Sequence, residues 1–354
     1  MTAPAGVLAR AAETPTRVAL RKKHLGRWRT YTWSEVGARM AAVAGGLDEL
    51  GVGRGDRVAL ISDNRPAWLF ADLGAQALGA VTVAIDPVAD AAEVAGRLKA
   101  TKSTVVVVED EEQADKVLPA LGKAGLKHLV VIDPRGVDLE GPGVVAFATV
   151  EERGRASALD VASVVAGVGP DDAATLLDGE PLGAPRTGIV THAALAAAAA
   201  AAVAELGIDG RTEILSHVPL GRAAERVVSE VGTVLAGCVV SFPEAPSTFP
   251  QDLREVQPTL LLGGPHLWEG LRAVVQDRMV DAGWVKRTAY RWSLGRGGLA
   301  SVLVHRPMAR RLGLSRLRVG VAAEDPVGAE VLDWYRSVGL ALRADPFRTG
   351  GSAP

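Results

Sequence analysis

The chain has 354 residues, of which 48% are hydrophobic and 23% charged, and its formal net charge is −2. This length suits two globular lobes with separate cores, and the near-neutral charge gives no sign of a nucleic-acid partner. The single cysteine, Cys238, excludes a disulfide framework and a cysteine metal site. Its apolar neighbours predict a buried structural thiol rather than a nucleophile.

Neither end of the sequence nor its interior offers a membrane or export signal. The N-terminus carries early charges and lacks the apolar core of a signal peptide. No stretch supplies the roughly 18 uncharged apolar residues that a membrane-spanning helix needs. We therefore expect a soluble, cytoplasmic protein.

The first half of the chain alternates amphipathic helices with short apolar strands. Thr32 and Glu35 form a capping box, so a helix is predicted to begin there and to run to about Leu50. The elements expected after it are strands at 56–62, 81–85, 104–108 and 128–132 and helices at 66–78, 91–100 and 111–124. This alternation predicts a parallel sheet covered by helices on both faces.

The second half repeats the alternation after a polar connection. The predicted domains are a first lobe at 1–168, a second lobe at 169–345 and a disordered tail at 346–354. An alanine-rich helix is expected at 193–206, with Thr191 as its N-cap and Gly207 just after its end. The other expected elements are strands at 213–218, 238–242 and 259–262 and a helical, arginine-rich region at 277–318.

Two long runs carry a family resemblance. They begin RWRTYTWSEVGARM at Arg27 and ILSHVPLGRAAERV at Ile214, and they keep the same order as in relatives over about residues 5–350. They resemble adenylate-forming enzymes, especially bacterial long-chain acyl-CoA synthetases. The resemblance implies an α/β fold of two stacked αβα lobes with mostly parallel sheets. It also implies a reaction in which a carboxylate attacks the α-phosphate of ATP and a thiol such as coenzyme A captures the acyl-adenylate.

The stretch ATLLDGEPLGAPRTGIVTH, residues 174–192, stands where relatives carry a phosphate loop rich in hydroxyls and glycines and followed by a lysine. In place of donors it has Asp178 and Glu180, and each would cost about 4 kcal/mol against a phosphate charge at about 4 Å. The positions implied to remain from the loop are Gly183, Arg186, Thr187 and Gly188. We therefore predict a nucleotide loop that has lost its ligand.

Other segments correspond to the acyl pocket of relatives. The implied acyl-pocket residues are Arg222, Gly263, Gly264, His266 and Trp268. Arg222 replaces a usual histidine, and His266 replaces a usual arginine and is expected to be solvated or capping. Trp268 is interpreted as core packing, and Glu225 with Arg226 as a structural ion pair.

The adenine and metal motifs depart further from the pattern. Thr349 matches the family, but Gly350 stands where relatives have a metal-binding glutamate. Glu324 and Asp325 replace a glycine-rich turn that approaches the adenylate. The sequence also stops before the ribose-binding aspartate, hinge and C-terminal lid of relatives. We therefore assign no catalytic residue and no metal ligand.

Three functional hypotheses remain open. The first is an inactive relative, needing no cofactor, that holds a fatty acid, an acyl-CoA or another hydrophobic ligand, or that pairs with itself or with an active synthetase. The second is an active fatty-acid–CoA ligase that uses ATP, Mg²⁺ and coenzyme A, either as a cut-down form or completed by a separate chain bearing the lid. The third is a gene product without a settled role. For the arginine-rich region 286–318, the alternatives are a solvated helix face, a dimer surface and peripheral contact with anionic lipid.

Overall fold

The computed structural model describes residues 1–123, 125–177, 188–323 and 325–344. Its strands are β1 (Val18–His24), β2 (Arg27–Thr32), β3 (Arg57–Ile61), β4 (Val81–Ala84), β5 (Val105–Val108), β6 (His128–Val131), β7 (Val144–Ala146), β8 (Ala173–Leu176), β9 (Ile189–Thr191), β10 (Glu213–Leu215), β11 (Val239–Phe242), β12 (Leu260–Gly263), β13 (Val319–Ala322) and β14 (Leu342–Ala344).

Its α-helices are α1 (Ala3–Glu13), α2 (Trp33–Glu49), α3 (Pro66–Ala77), α4 (Ala91–Thr101), α5 (Glu111–Val117), α6 (Phe147–Ala156), α7 (Val161–Ala166), α8 (His192–Leu206), α9 (Ala223–Glu225), α10 (Thr233–Ala236), α11 (Phe249–Val256), α12 (Pro265–Val280), α13 (Trp284–Ser293), α14 (Arg306–Leu312) and α15 (Ala329–Ser337). Short 3₁₀ turns occupy Leu118–Ala120 and Pro246–Thr248, and π-helical segments occupy Arg226–Gly232 and Ser301–His305. None of the helices found within the described ranges has both the length and the apolar character that crossing a bilayer requires.

The chain forms two compact units, each assembled from separate stretches of sequence. Unit 1 comprises Met1–Leu20, Thr30–Ala204 and Pro219–Gly237, and unit 2 comprises Arg21–Arg29, Glu205–Val218 and Cys238–Pro354. This division differs from the single boundary predicted between residues 168 and 169. The reason is that β8, which follows that boundary, pairs with β4 inside unit 1.

The sheet of unit 1 has the strand order β7-β6-β5-β3-β4-β8-β9. Its pairs are parallel except for β8 with β9, which are antiparallel. Every residue of β5 is buried, as expected for a strand covered on both faces. Helices α2 and α6 approach so closely that a Cβ on Gly46 would lie 2.0 Å from the carbonyl oxygen of Val150. The predicted mostly parallel α/β architecture is confirmed.

The sheet of unit 2 has the order β14-β13-β12-β10-β11-β1-β2, and the neighbours from β14 to β11 pair in parallel. The core on one of its faces is built around Trp268 and Tyr335, whose rings meet edge to face with centroids 5.4 Å apart. The indole N–H of Trp268 donates to the carbonyl oxygen of Gly263 at 2.8 Å. Trp268 is therefore a core residue, as predicted.

Local capping signals in the sequence are confirmed. The hydroxyl of Thr32 accepts from the Glu35 amide at 3.3 Å while the Glu35 carboxylate accepts from the Thr32 amide at 2.7 Å. The hydroxyl of Thr191 accepts from the amide of Ala194 at 3.2 Å at the start of α8. Gly207 adopts the left-handed conformation with φ of +64° after that helix. Cys238, the single cysteine, is buried, as predicted.

The arginine-rich region is less continuous than its composition suggests. The helix predicted over 277–318 is divided into the end of α12, α13, a π-helical segment and α14. The breaks coincide with Gly295 and Gly298, which have φ of +71° and +58° and cannot continue a right-handed helix. The helix predicted at 111–124 likewise ends at Val117, two residues before Pro119.

Candidate functional site

A cavity of about 360 Å³ lies in unit 1 next to the carboxyl ends of β3 and β4. This edge is where parallel α/β sheets place their ligands. Trp68 and Leu220 contribute apolar wall, and the charged lining consists of Asp86, Glu93, Arg97 and the predicted site residue Arg222. The two cations are thus matched by two carboxylates, so this cavity offers no net positive field to an anionic ligand.

A buried ionic network stands behind one wall of this cavity. The guanidinium of Arg226, whose side chain is 0% exposed, forms an ion pair with Asp72, also 0% exposed. It also donates to the hydroxyls of Thr175 at 3.0 Å and Thr82 at 3.2 Å. Its central carbon lies 5.0 Å from the ring centroid of Trp68, which lines the cavity. Arg226 therefore ties β4, β8 and α3 together beneath the cavity wall.

Glu230 is the third charged member of the network. Its carboxylate lies 3.4 Å from Nε of Arg226, one turn along the π-helical segment. Burial, and then the negative charge of Asp72, raise the pKa of Glu230 well above its ordinary value. Burial alone would lower the pKa of the Arg226 guanidinium, but attraction to Asp72 and Glu230 raises it. Arg226 is structural, as predicted, but its ionic partners are Asp72 and Glu230 rather than its sequence neighbour Glu225.

Most of the predicted nucleotide-site residues lie outside the described residues. This applies to Gly183, Arg186 and Thr187 of the loop and to Thr349 near the C-terminus. Gly188 is described, and it is buried directly before β9. Among the residues with described positions, no cluster of three or more His, Cys, Asp or Glu side chains is placed to hold a metal ion. The predictions for the nucleotide loop therefore stay predictions.

A second cavity, of about 280 Å³, lies in unit 2 among α11, α12 and α14. Its apolar walls are Phe249, Leu253, Leu267, Leu271, Val274 and Leu312. Its ionisable lining residues are Arg254, Arg278, Arg311 and His266, and no lining residue is acidic. In the part of the chain that the structure describes, the three arginines have no ion-pair partner. We name this site the cationic cavity.

The predicted acyl-pocket residues are distributed between the two units. Arg222 lines the cavity of unit 1, whereas His266 is exposed and lines the cationic cavity of unit 2. Gly264 precedes the first residue of α12, and a Cβ on Gly263 would lie 2.3 Å from a methyl carbon of Leu267. These glycines thus position α12, and Trp268 fills the core instead of lining the cavity.

Sequence reasoning missed a histidine beside the cationic cavity. The ring of His217 packs on the lining residue Phe249, with centroids 4.4 Å apart. Burial lowers the pKa of His217 to about 4, so the ring is neutral near pH 7. Its position two residues after the end of strand β10 was the available signal, since side chains near the carboxyl ends of parallel strands often line ligand sites.

Comparison with known proteins identifies the family of the chain. The family model described as AMP-binding enzyme matches residues 7–344. The chain belongs to the AMP-binding enzyme family. It is similar to long-chain-fatty-acid–CoA ligase FadD15 of Mycobacterium bovis, with 25% identity over 347 residues, covering 90% of this chain and 55% of the ligase. The chain thus spans about half the length of that relative.

Solved structures of other proteins share the fold. The N-terminal domain of FACL13 from Mycobacterium tuberculosis is similar with a TM-score of 0.71 and 19% identity, over 97% of this chain and 75% of that one. The A domain of carboxylic acid reductase from Segniliparus rugosus, in complex with AMP and a co-purified carboxylic acid, is similar with a TM-score of 0.73 and 18% identity, over 97% and 59% of the two chains. The predicted resemblance to adenylate-forming enzymes is thereby confirmed.

Proposed function

We propose that this chain binds a fatty acid in the cationic cavity and does not itself form an acyl-adenylate. The observation that carries the binding proposal is the composition of that cavity. Apolar side chains from three helices surround it, and its ionisable groups are three arginines and a histidine without a carboxylate among them. A long apolar tail with one anionic end is the ligand chemistry that matches both features.

The energetics favour such a ligand. Burial of the tail against leucine and phenylalanine side chains contributes about 25 cal/mol for each Å² of apolar surface removed from water. The guanidinium groups of Arg254, Arg278 and Arg311 are suited to bidentate bonds with a carboxylate. The volume of about 280 Å³ is near the lower end of the roughly 300–1,000 Å³ typical of ligand pockets.

Another apolar cavity, in unit 1, fits this ligand less well. It has a volume of about 260 Å³ and is lined by Lys99, Lys116 and Lys123. The ammonium group of Lys116 already donates to the carbonyl oxygen of Pro87 at 2.7 Å, and that of Lys123 to Pro119 at 2.7 Å. Two of its three cations therefore have partners, unlike the arginines of the cationic cavity.

The proposal that no adenylate forms is supported by sequence. Asp178 and Glu180 occupy positions where the resemblance places phosphate-binding donors. Carboxylates there would repel the β- and γ-phosphates of ATP instead of cradling them. Of the similar proteins, one is named a long-chain-fatty-acid–CoA ligase and another is a reductase domain solved with AMP and a carboxylic acid. In this chain we propose that acid binding is retained and activation is lost.

A fluorescent fatty-acid analogue, 11-(dansylamino)undecanoic acid, tests the binding proposal, with palmitate as competitor. Arg278→Gln and Arg311→Gln should each weaken binding about tenfold to a hundredfold, the effect of losing one charge-assisted hydrogen bond. Arg336→Gln is the matched control, because Arg336 is 77% exposed and pairs with Asp333. Saturable binding that is equal in all four proteins would contradict the assignment to this cavity.

The second candidate function is an active fatty-acid–CoA ligase. Its support is the family match over residues 7–344, together with Arg186 and Thr349, which retain a cation and a hydroxyl at motif positions. Pyrophosphate release from MgATP in the presence of palmitate and coenzyme A separates the two candidates. Release above the background without protein, and its loss in Arg186→Ala, would establish the ligase and overturn the proposed loss of activation.

A further inference from the structure

Helix α13 exposes an unusual amount of apolar surface. Trp284, Val285 and Trp292 are 73%, 59% and 47% exposed. At 100° for each residue, Trp292 lies roughly 80° around the helix from Trp284, and Val285 roughly 100°. The three side chains therefore share one side of α13, which we name the tryptophan face.

The opposite side of α13 is anchored in the core of unit 2. The hydroxyl of Tyr290 accepts from the indole N–H of Trp334 at 2.6 Å, and the Tyr290 ring packs against the core. Ser293 is buried and donates to the carbonyl oxygen of Tyr290 at 2.7 Å. The tryptophan face thus points outward because the other side of the helix is held. In the helical segment that follows, Leu303 is also exposed, at 61%.

The sequence segment that contains this face carries charge of one sign. Residues 282–323 contain nine Lys and Arg residues and no Asp or Glu. Arg316 pairs with Glu213 at 2.9 Å and Arg318 with Asp209 at 3.3 Å, both outside the stretch. In contrast, Lys286, Arg287 and Arg291 of α13 have no carboxylate partner in the portion of the chain with described positions.

We propose that the tryptophan face and its cations dock onto the surface of an anionic lipid bilayer. Indole rings favour the boundary between headgroups and acyl chains, where one end of the ring is wet and the other apolar. Lysine and arginine beside such a face are attracted to anionic headgroups and keep their charge in water. A bilayer supplies both environments in one surface.

Other partners match only part of this surface. A nucleic acid would satisfy the cations but would give Val285 and Leu303 no apolar environment. A second copy docked through the same face would bring two cationic surfaces together, which costs energy. The lipid surface satisfies the indoles, the aliphatic side chains and the cations together.

Vesicle co-sedimentation tests the proposal with the complete chain. The two vesicle types are phosphatidylcholine alone and an equal mixture of phosphatidylcholine and phosphatidylglycerol. The wild-type protein should pellet with the mixed vesicles and remain in solution with the neutral ones, and binding should weaken with added salt. Arg287→Gln/Arg291→Gln should lower the partition coefficient at least tenfold, since each cation near an anionic surface contributes about fivefold.

The apolar contribution is tested separately. Trp284→Ser/Trp292→Ser should also lower partitioning at least tenfold, and quenching of wild-type tryptophan fluorescence by brominated lipid should show that the indoles enter the interface. Arg316→Gln and Leu139→Ser, an already paired arginine and a 40% exposed leucine elsewhere, should change partitioning less than twofold. Unchanged thermal unfolding confirms that the variants are folded.

Three results would overturn the proposal. They are equal binding to both vesicle types, binding that survives the tryptophan double substitution, and no binding to either vesicle. A wild-type dimer in solution that the tryptophan substitutions convert to monomer would assign the face to self-association instead. None of the substituted residues lines the cationic cavity, so failure here leaves the fatty-acid proposal untouched.

Discussion

Replacing Arg226 by methionine should strongly destabilise unit 1. The side chain is 0% exposed, and its removal leaves the equally buried carboxylate of Asp72 without a counter-ion. Breaking a buried pair by removing one partner costs about 3–5 kcal/mol, chiefly from the unpaired charge that remains. The hydroxyls of Thr82 and Thr175 lose a donor as well, so we expect the upper half of that range.

The complementary substitution, Asp72→Asn, should cost less. Glu230 lies 3.4 Å from Nε of Arg226, and burial together with the negative charge of Asp72 raises its pKa. Removal of the Asp72 charge also removes one cause of that raised pKa, and the Glu230 carboxylate remains beside Arg226 as a second counter-ion. The structure therefore predicts an asymmetric pair, in which loss of the cation costs about 2 kcal/mol more than loss of this anion.

The double variant Arg226→Met/Asp72→Leu removes both charges of the pair. A buried ion pair replaced by apolar residues is often neutral or stabilising, so the double variant should be more stable than Arg226→Met alone. The assay is urea unfolding followed by both circular dichroism and tryptophan fluorescence, because coincident transitions are needed before free energies are compared. A double variant that is no more stable than Arg226→Met, or an Asp72→Asn cost equal to that of Arg226→Met, would refute the reasoning.

Four further outcomes follow from buried or paired groups. Burial raises the pKa of Glu230, so its protonated side chain contributes to stability below about pH 4.5, and this contribution is lost as pH rises through the folded-state pKa. In urea unfolding, the stability of Glu230→Gln should therefore decline less than that of wild type as pH rises above about 4.5. Lys23 lowers the pKa of Glu255 to about 2, so in acid titration Glu255→Gln should lose less stability than wild type between about pH 4.5 and 2. Burial lowers the pKa of His217 from 6.5 to about 4, so the stability of the folded protein decreases as pH is lowered from about 6.5 to 4. In thermal scans, His217→Gln should show a smaller decrease over this range. Trp268→Ala should cost about 3–5 kcal/mol in urea unfolding, as expected for a core aromatic residue.

Local sequence patterns predicted the central strands of both sheets, β3 to β6 in one and β10 to β12 in the other. Apolar runs such as Val105–Val108 and the capping box at Thr32 depend only on neighbouring residues, so they can be read from sequence. Strands β1 and β2 were missed because their sequences, VALRKKH and RWRTYT, are rich in Lys and Arg and lack the apolar run of the central strands. The division into units was also missed, because it depends on the pairing of β8 with β4, about 90 residues apart.

The candidate sites were less predictable for the same reason. Arg226 was recognised as structural, but its partner Asp72 lies 154 residues earlier. Three arginines of the cationic cavity come from three different helices, and nothing in their spacing shows that they converge. His266 was named from the family resemblance, but only the structure shows that it shares a cavity with unpaired cations.

The absence of acidic residues from the segment 282–323, which contains α13, is more than solubility requires. With 41 acidic residues in 354, an average stretch of 42 residues would contain about five, whereas residues 282–323 contain none. A one-signed surface repels itself and destabilises the compact state unless an anionic partner offsets it. The same stretch supplies Arg311 to the cationic cavity and Arg291 to the tryptophan face. A fatty acid and an anionic phospholipid are both amphiphiles with an anionic end, so one compositional bias serves both proposed ligands. Because the two sites use different side chains, substitutions can remove binding at either site without affecting the other.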